Sequence, residues 1–287
     1  MSRSRSAFDR SLSGAGTPFD AQSIFSIPLT WYKISPQMKT LQRAKGLASD
    51  LVVTQKGNTV TLWSASGVRH TVLDLGAPHL PGLEYARNTL LSLVFSPQAR
   101  SFLLLGLGGG SIFHMLHAAR PTAQVDAVEI DPAVPDLARK FFHIGDSPQF
   151  RIYVEDAAGY LARCEKKYDI IILDAYLGEI LPPQCASPVF FQNARQRLTG
   201  EGLLVVNWLR GDPHQYRRVV SNIGSAVGHP WVLHGYRSRN TLLFAPLREH
   251  HRTELVAGAE QLERELPFAR AVVRLARRLQ PHPQDAA

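Results

Sequence analysis

The sequence predicts an α/β fold in which a mostly parallel, doubly wound sheet follows a small antiparallel β appendage. Three observations carry this. From Phe102 onward, FLLLGL, QVDAVEI, FRIYVE, YDIIILDA and GLLVVNW are near-continuous apolar runs, the pattern of strands covered on both faces. Helix-length segments, among them IFHMLHAA, PAVPDLARKFF and PVFFQNARQRL, alternate with them, as crossover connections between parallel strands require. A glycine-rich turn, Gly106 to Gly110, stands where the first run gives way to its helix.

Composition agrees. The 287 residues are 45% hydrophobic and 20% charged, which suits a globular chain with a large core and excludes a disordered one. No run approaches the roughly 18 apolar residues of a membrane span, so no membrane partner is expected. The start, MSRSRSAFDR, lacks the apolar block of a secretory signal, and the expected address is cytoplasmic. Cys164 and Cys185 fit a reduced compartment and make no metal spacing.

Along the chain, residues 1–45 show no sustained period and read as a loose leader. Residues 46–80 form the appendage: LVVTQ, NTVTLWS and VRHTVLDL are β-rich runs parted by the turns Lys56-Gly57-Asn58 and Ser66-Gly67. The main domain spans residues 81–250, opening with a helical segment from Glu84 to Phe95 and closing with WVLHGY and NTLLFAPL as an antiparallel hairpin. Residues 251–287 are a basic helical segment and a frayed tail, PHPQDAA. The formal charge is +8, but Arg252, Arg264, Arg270, Arg274, Arg277 and Arg278 share this region with Glu254, Glu260, Glu263 and Glu265. That mixture reads as a solvated helix face, so nucleic acid is not an expected partner.

The chemistry-bearing residues sit at strand ends. Gly106, Gly108 and Gly110 let backbone approach a ligand, and the following helix offers unpaired N–H groups, a natural seat for a nucleotide-like molecule. Glu129, ending the second run in VEIDP, can accept hydrogen bonds from both hydroxyls of a ribose and has the better claim to them; Asp131 beside it, the adjacent candidate, is followed by Pro132 and reads first as a helix cap. Asp156 in VEDA and Asp174 in LDAY end the next two runs, Asp156 again with a capping alternative. In an open α/β sheet the ligand crevice lies outside the carboxyl ends of the strands, so all four stations are expected on one rim.

Ser111 stands where the dinucleotide fingerprint has its third glycine, and the terminal hairpin fits a dinucleotide fold poorly. From about residue 100 to 246 the chain instead resembles the class I S-adenosylmethionine-dependent transferases, which implies a Rossmann-like, seven-stranded sheet with the last strand antiparallel. With the appendage, LEY (Leu83 to Tyr85), GLGGGS, VEIDP, VEDA, LDAYLGEILP and SPVFFQ, it is similar to the spermidine synthase-like family, especially a divergent bacterial branch, over roughly residues 50–245. The resemblance implies S-adenosylmethionine or its decarboxylated form as co-substrate, no metal, and a small-molecule amine or other small acceptor; it allows a homodimer. It puts Asp156 at the adenine amino group and Asp174 at the sulfonium end.

Aminopropyl transfer needs a base for the acceptor amine and an acidic groove for a polycation. By the resemblance, acids expected in the family correspond here to Gly109, to Pro81, Gly82 and Arg87, and to Leu177. Asp174, Glu179, Tyr85 and Tyr176 remain. Glu179 is the candidate base or a solvated loop residue; Tyr85 and Tyr176 flank the acceptor or simply pack. Methyl transfer and a non-catalytic nucleoside-binding protein stay open as alternatives. His114 with His117 and His250 with His251 lack partner ligands at metal spacing, and Ser111 lacks a GxSxG turn.

Overall fold

The computed structural model describes residues 37–145 and 147–283. Most of the expected leader and the last residues of the tail lie outside them. Four antiparallel strands come first: β1 (Lys39–Ala44), β2 (Leu51–Lys56), β3 (Thr59–Ser64) and β4 (Arg69–Asp74), in that order across the sheet. Gly57 and Gly67, both at positive φ, serve the two turns the sequence marks. The strand that sequence patterning does not reveal is β1, because KTLQRA is a half-exposed edge without alternation.

Glu84 to Phe95 is helical, as α1 (Glu84–Asn88), a 3-10 turn over Thr89–Leu91, and α2 (Ser92–Phe95). The main sheet then alternates with helices: β5 (Ser101–Leu105), α3 (Ser111–Ala119), β6 (Gln124–Glu129), α4 (Ala133–Phe141), β7 (Phe150–Val154), α5 (Ala157–Arg163), β8 (Tyr168–Leu173), α6 (Pro188–Arg197), β9 (Leu198–Leu209), α7 (Pro213–Ala226), β10 (Trp231–His234) and β11 (Asn240–Pro246). The chain ends with α8 (Arg252–Glu265), α9 (Val272–Arg278) and β12 (Gln280–Pro281). Strand order is β12-β10-β11-β9-β8-β5-β6-β7; neighbours among β5 to β9 pair parallel, and β10 and β11 join antiparallel.

The expected count of seven strands is corrected to eight. After α9 the chain returns along β10, pairing Trp231 with Pro281 and Val232 with Gln280, and so covers backbone groups that an edge strand would leave open. The first residues of the segment read as a frayed tail are therefore paired.

Alternation along each strand explains the apolar runs. Phe102 and Leu104 of β5, with Ile170 and Ile172 of β8, face a core shared with the appendage, α1 to α4, α8 and α9; Leu103, Leu105, Ile171 and Leu173 face α5, α6 and α7. α8 and α9 are built into the first core through Leu255, Ala259, Leu262, Val272 and Ala276. Strand order reverses between β5 and β8, which leaves a crevice at their carboxyl ends. Among the described residues no helix is long and apolar enough to cross a membrane.

Candidate active site

A cavity of about 1130 Å³ opens at that crevice, floored by the strand ends and walled by the appendage, α1, the β10–β11 turn and α9. It exceeds the few hundred Å³ one small ligand needs and can take two. Gly106, Gly108, Glu129, Asp156, Asp174, Tyr85, Tyr176 and Glu179 all contribute to its lining. Gly110 lies just outside, at the N-cap of α3 with φ of 75°.

Gly106 has φ of 102°, and a Cβ there would fall 2.3 Å from the Asp174 carbonyl oxygen, so only glycine lets the ends of β5 and β8 approach this closely. Gly109 is placed otherwise than an acid-bearing position would be. Its N–H donates to Thr71 Oγ1 at 2.7 Å, and a Cβ would meet Phe142 Cδ1 at 2.7 Å and Thr71 Cγ2 at 2.8 Å. An aspartate side chain at this position would start into the Phe142 ring.

Glu129, at the end of β6, turns its carboxylate to the glycine turn. Oε2 accepts from Leu107 N at 3.1 Å, with Gly108 N at 3.5 Å, and Oε1 accepts from Asp131 N at 3.0 Å. Burial pushes its carboxyl pKa up against the pull of these N–H groups. Asp131 has the capping role expected of it: Oδ1 accepts from Ala133 N at 3.0 Å at the start of α4, and Oδ2 from Leu47 N at 2.8 Å. Asp156 caps α5, accepting from Gly159 N at 2.9 Å, and holds Gln184 Nε2 at 3.2 Å, while still facing the cavity.

Asp174 ends β8. Its Oδ1 accepts from Asn207 Nδ2 at 2.7 Å, and the Tyr85 hydroxyl is its second polar neighbour. Burial raises its carboxyl to about 6, outweighing both of these contacts, with Glu129 adding to the rise. Tyr85 is itself lifted well above the ordinary phenol range, by burial first and by Asp174 second. Two groups are less free than the sequence suggests. The Tyr176 hydroxyl donates to Asn207 O at 2.6 Å and accepts from Leu209 N at 2.8 Å, tying the loop after β8 to β9. Glu179 is exposed and pairs with Arg239 at 3.1 Å.

Sequence reasoning missed Asn207, whose signal is a polar residue inside the apolar run GLLVVNW. It missed Glu84, which accepts from Tyr236 N at 2.7 Å and Arg237 N at 2.8 Å, and the arginines of α9, which no local pattern assigns to a cavity. Among the described residues no group of three or more His, Cys, Asp or Glu is arranged to hold a metal.

Comparison with known proteins bears on this geometry. Residues 89–229 match the family described as the spermine/spermidine synthase domain. A polyamine aminopropyltransferase of Vibrio vulnificus is 38% identical over 126 residues, which are 43% of this chain and 42% of that one. The eEF1A lysine and N-terminal methyltransferase of Mus musculus is 29% identical over 198 residues, 64% of this chain and 28% of that one. The chain thus aligns with less than half the length of either relative. A crystal structure of a probable spermidine synthase from Corynebacterium glutamicum shares the fold, with a TM-score of 0.66 at 21% identity, covering 86% of this chain and 97% of that one. With its glycine turn, strand-end acids and appended β-sheet, the chain resembles the spermidine synthase-like family, and residues 89–229 match that family's domain.

Proposed function

We propose that this chain is a transferase that moves an alkyl group, in the first reading an aminopropyl group, from an adenosyl-sulfonium donor to the nitrogen of a small amine. The observation that carries the reading is Asp174: a carboxylate raised to about 6, in hydrogen-bond contact with Asn207, beside a turn where Gly106 leaves no room for a side chain.

The lining suits such a donor. Glu129 would receive the ribose hydroxyls, exchanging backbone N–H partners for them, and Asp156 the adenine amino group. The donor supplies a carbon made electrophilic by its sulfonium: that C–S bond breaks as the N–C bond to the acceptor forms, leaving a neutral thioether. Asp174 does two things. Its negative charge faces the sulfonium end, and as general base it takes the proton the amine must lose, a task for which a carboxylate near 6 is better matched than an ordinary one. Glu179, the other base candidate, would first have to leave Arg239. Tyr85 orients Asp174, and Tyr176 fixes the loop that carries it.

Methyl transfer is the second reading. It is favoured by the likeness to the methyltransferase of Mus musculus. Calorimetric titration of the two donors, followed by turnover with amines, separates the readings. Tighter binding of decarboxylated S-adenosylmethionine with amine-dependent thioether release is expected; preference for the carboxylated donor with methyl transfer overturns the aminopropyl reading.

A further inference from the structure

We propose that the acceptor is an amine bearing an anionic group at its far end, received by the arginines of the C-terminal segment. This deepens the transferase reading and rests on it. Arg270, Arg274 and Arg278 follow one another at four-residue spacing, so helical geometry sets Arg274 and Arg278 of α9 on one face with Arg270 just before it, and all three line the cavity. Among the described residues neither Arg270 nor Arg274 has a hydrogen-bond or ion-pair partner. Arg278 donates to His234 O at 2.8 Å.

The acids on the same side are already engaged. Glu84 accepts two backbone N–H groups of the β10–β11 turn. Glu179 is paired with Arg239. Arg87, also in the lining, donates to the carbonyls of Pro81 and Gly82, and its charge, with that of Arg278, is set against the Glu84 carboxylate, which leaves Arg270 and Arg274 unmatched. Asp174 is left, and it serves the reacting nitrogen. A diamine would carry its second ammonium toward Arg270 and Arg274 with, among the described residues, no unengaged carboxylate on that side to pair it, whereas a carboxylate or phosphonate at that end would meet unpaired guanidinium groups with fork geometry suited to it. In the step itself the acceptor's uncharged nitrogen forms the N–C bond, its proton passes to Asp174, and the distal anion takes no part beyond holding the molecule in register.

The test uses the full chain, titrated calorimetrically with putrescine, 4-aminobutyrate and 3-aminopropylphosphonate, with and without 5′-methylthioadenosine. The first two differ only at the far end; the third distinguishes phosphonate from carboxylate. We expect one or both amino acids to bind about tenfold more tightly than putrescine at low salt, as several exposed pairs together allow, with the margin shrinking as salt is added. The double variant R270Q/R274Q should bring the three ligands to within about twofold of one another, its affinity for the thioether reporting that it is folded. Putrescine binding as tightly as both amino acids, or a preference that survives the double substitution, overturns the proposal. The thioether arm reads the donor site by itself, so failure of the transferase reading is told apart from failure of the anion preference.

Discussion

Asn207 Nδ2 donates to Asp174 Oδ1 at 2.7 Å, and the same amide's oxygen accepts from Asn240 Nδ2 at 2.9 Å. The second bond fixes which way the amide points, so that β9 always presents a donor to the carboxylate at the end of β8. Asn207→Leu removes a contact that lowers the Asp174 pKa and leaves the burial that raises it. In the pH profile of kcat/KM the acidic limb, expected near 6, should therefore move about one pH unit higher. An unmoved limb would mean that another group titrates.

The two carboxylates of the loop after β8 should separate sharply on substitution. Asp174→Asn is expected to lower turnover by about 10²–10⁴, the usual reach of a general base, while Glu179→Gln, at an exposed ion pair, changes it by less than about threefold. Turnover assays on both variants check this, and a larger loss at Glu179 would transfer the base role there.

Stability should respond to Asp174→Asn in the opposite direction. The folded protein holds the Asp174 proton more tightly than the unfolded chain, because burial lifts its pKa from 3.8 to about 6. That contribution to stability is complete below about pH 4 and lost as pH rises through about 6, so at pH 7 to 8 the variant should be the more stable by about 2–3 kcal/mol, with no difference below about pH 4. Urea unfolding at the two pH values measures it.

Introducing by Gly109→Asp the acid that the resemblance puts at this position should not add aminopropyl transfer. The new Cβ would meet Phe142 and Thr71 at 2.7 to 2.8 Å, an overpacking expected to cost about 1–3 kcal/mol in denaturant unfolding without a gain in turnover. A stable, more active variant would show that the glycine turn adopts another course.

Tyr176→Phe leaves the Asn207 carbonyl and the Leu209 N–H without their hydroxyl partner. Loss of these bonds should cost about 1–3 kcal/mol in the same assay. A loss of turnover with unchanged stability would place the hydroxyl on the acceptor.

The parallel core was legible because strands covered on both faces need unbroken apolar runs, and the faces of β5 and β8 confirm the alternation. Lys39–Ala44 and Gln280–Pro281 escaped for the opposite reason: one is a half-exposed edge strand, the other a two-residue pairing decided by where α9 delivers the chain. At the site, strand topology brings Gly106, Glu129, Asp156 and Asp174 to one rim, as their positions at the ends of apolar runs imply. Partnerships across the fold were not legible. Glu179 with Arg239, Tyr176 with β9, and the arginines of α9 at the cavity mouth arise from tertiary packing, which no local spacing encodes.

A crystal structure of the full chain with 5′-methylthioadenosine tests the central claim most directly. The account requires the ribose hydroxyls on Glu129, the adenine amino group toward Asp156 and the thioether sulfur facing Asp174, with open space between sulfur and α9. A thioether bound away from these acids, or no binding at millimolar concentration, would contradict it.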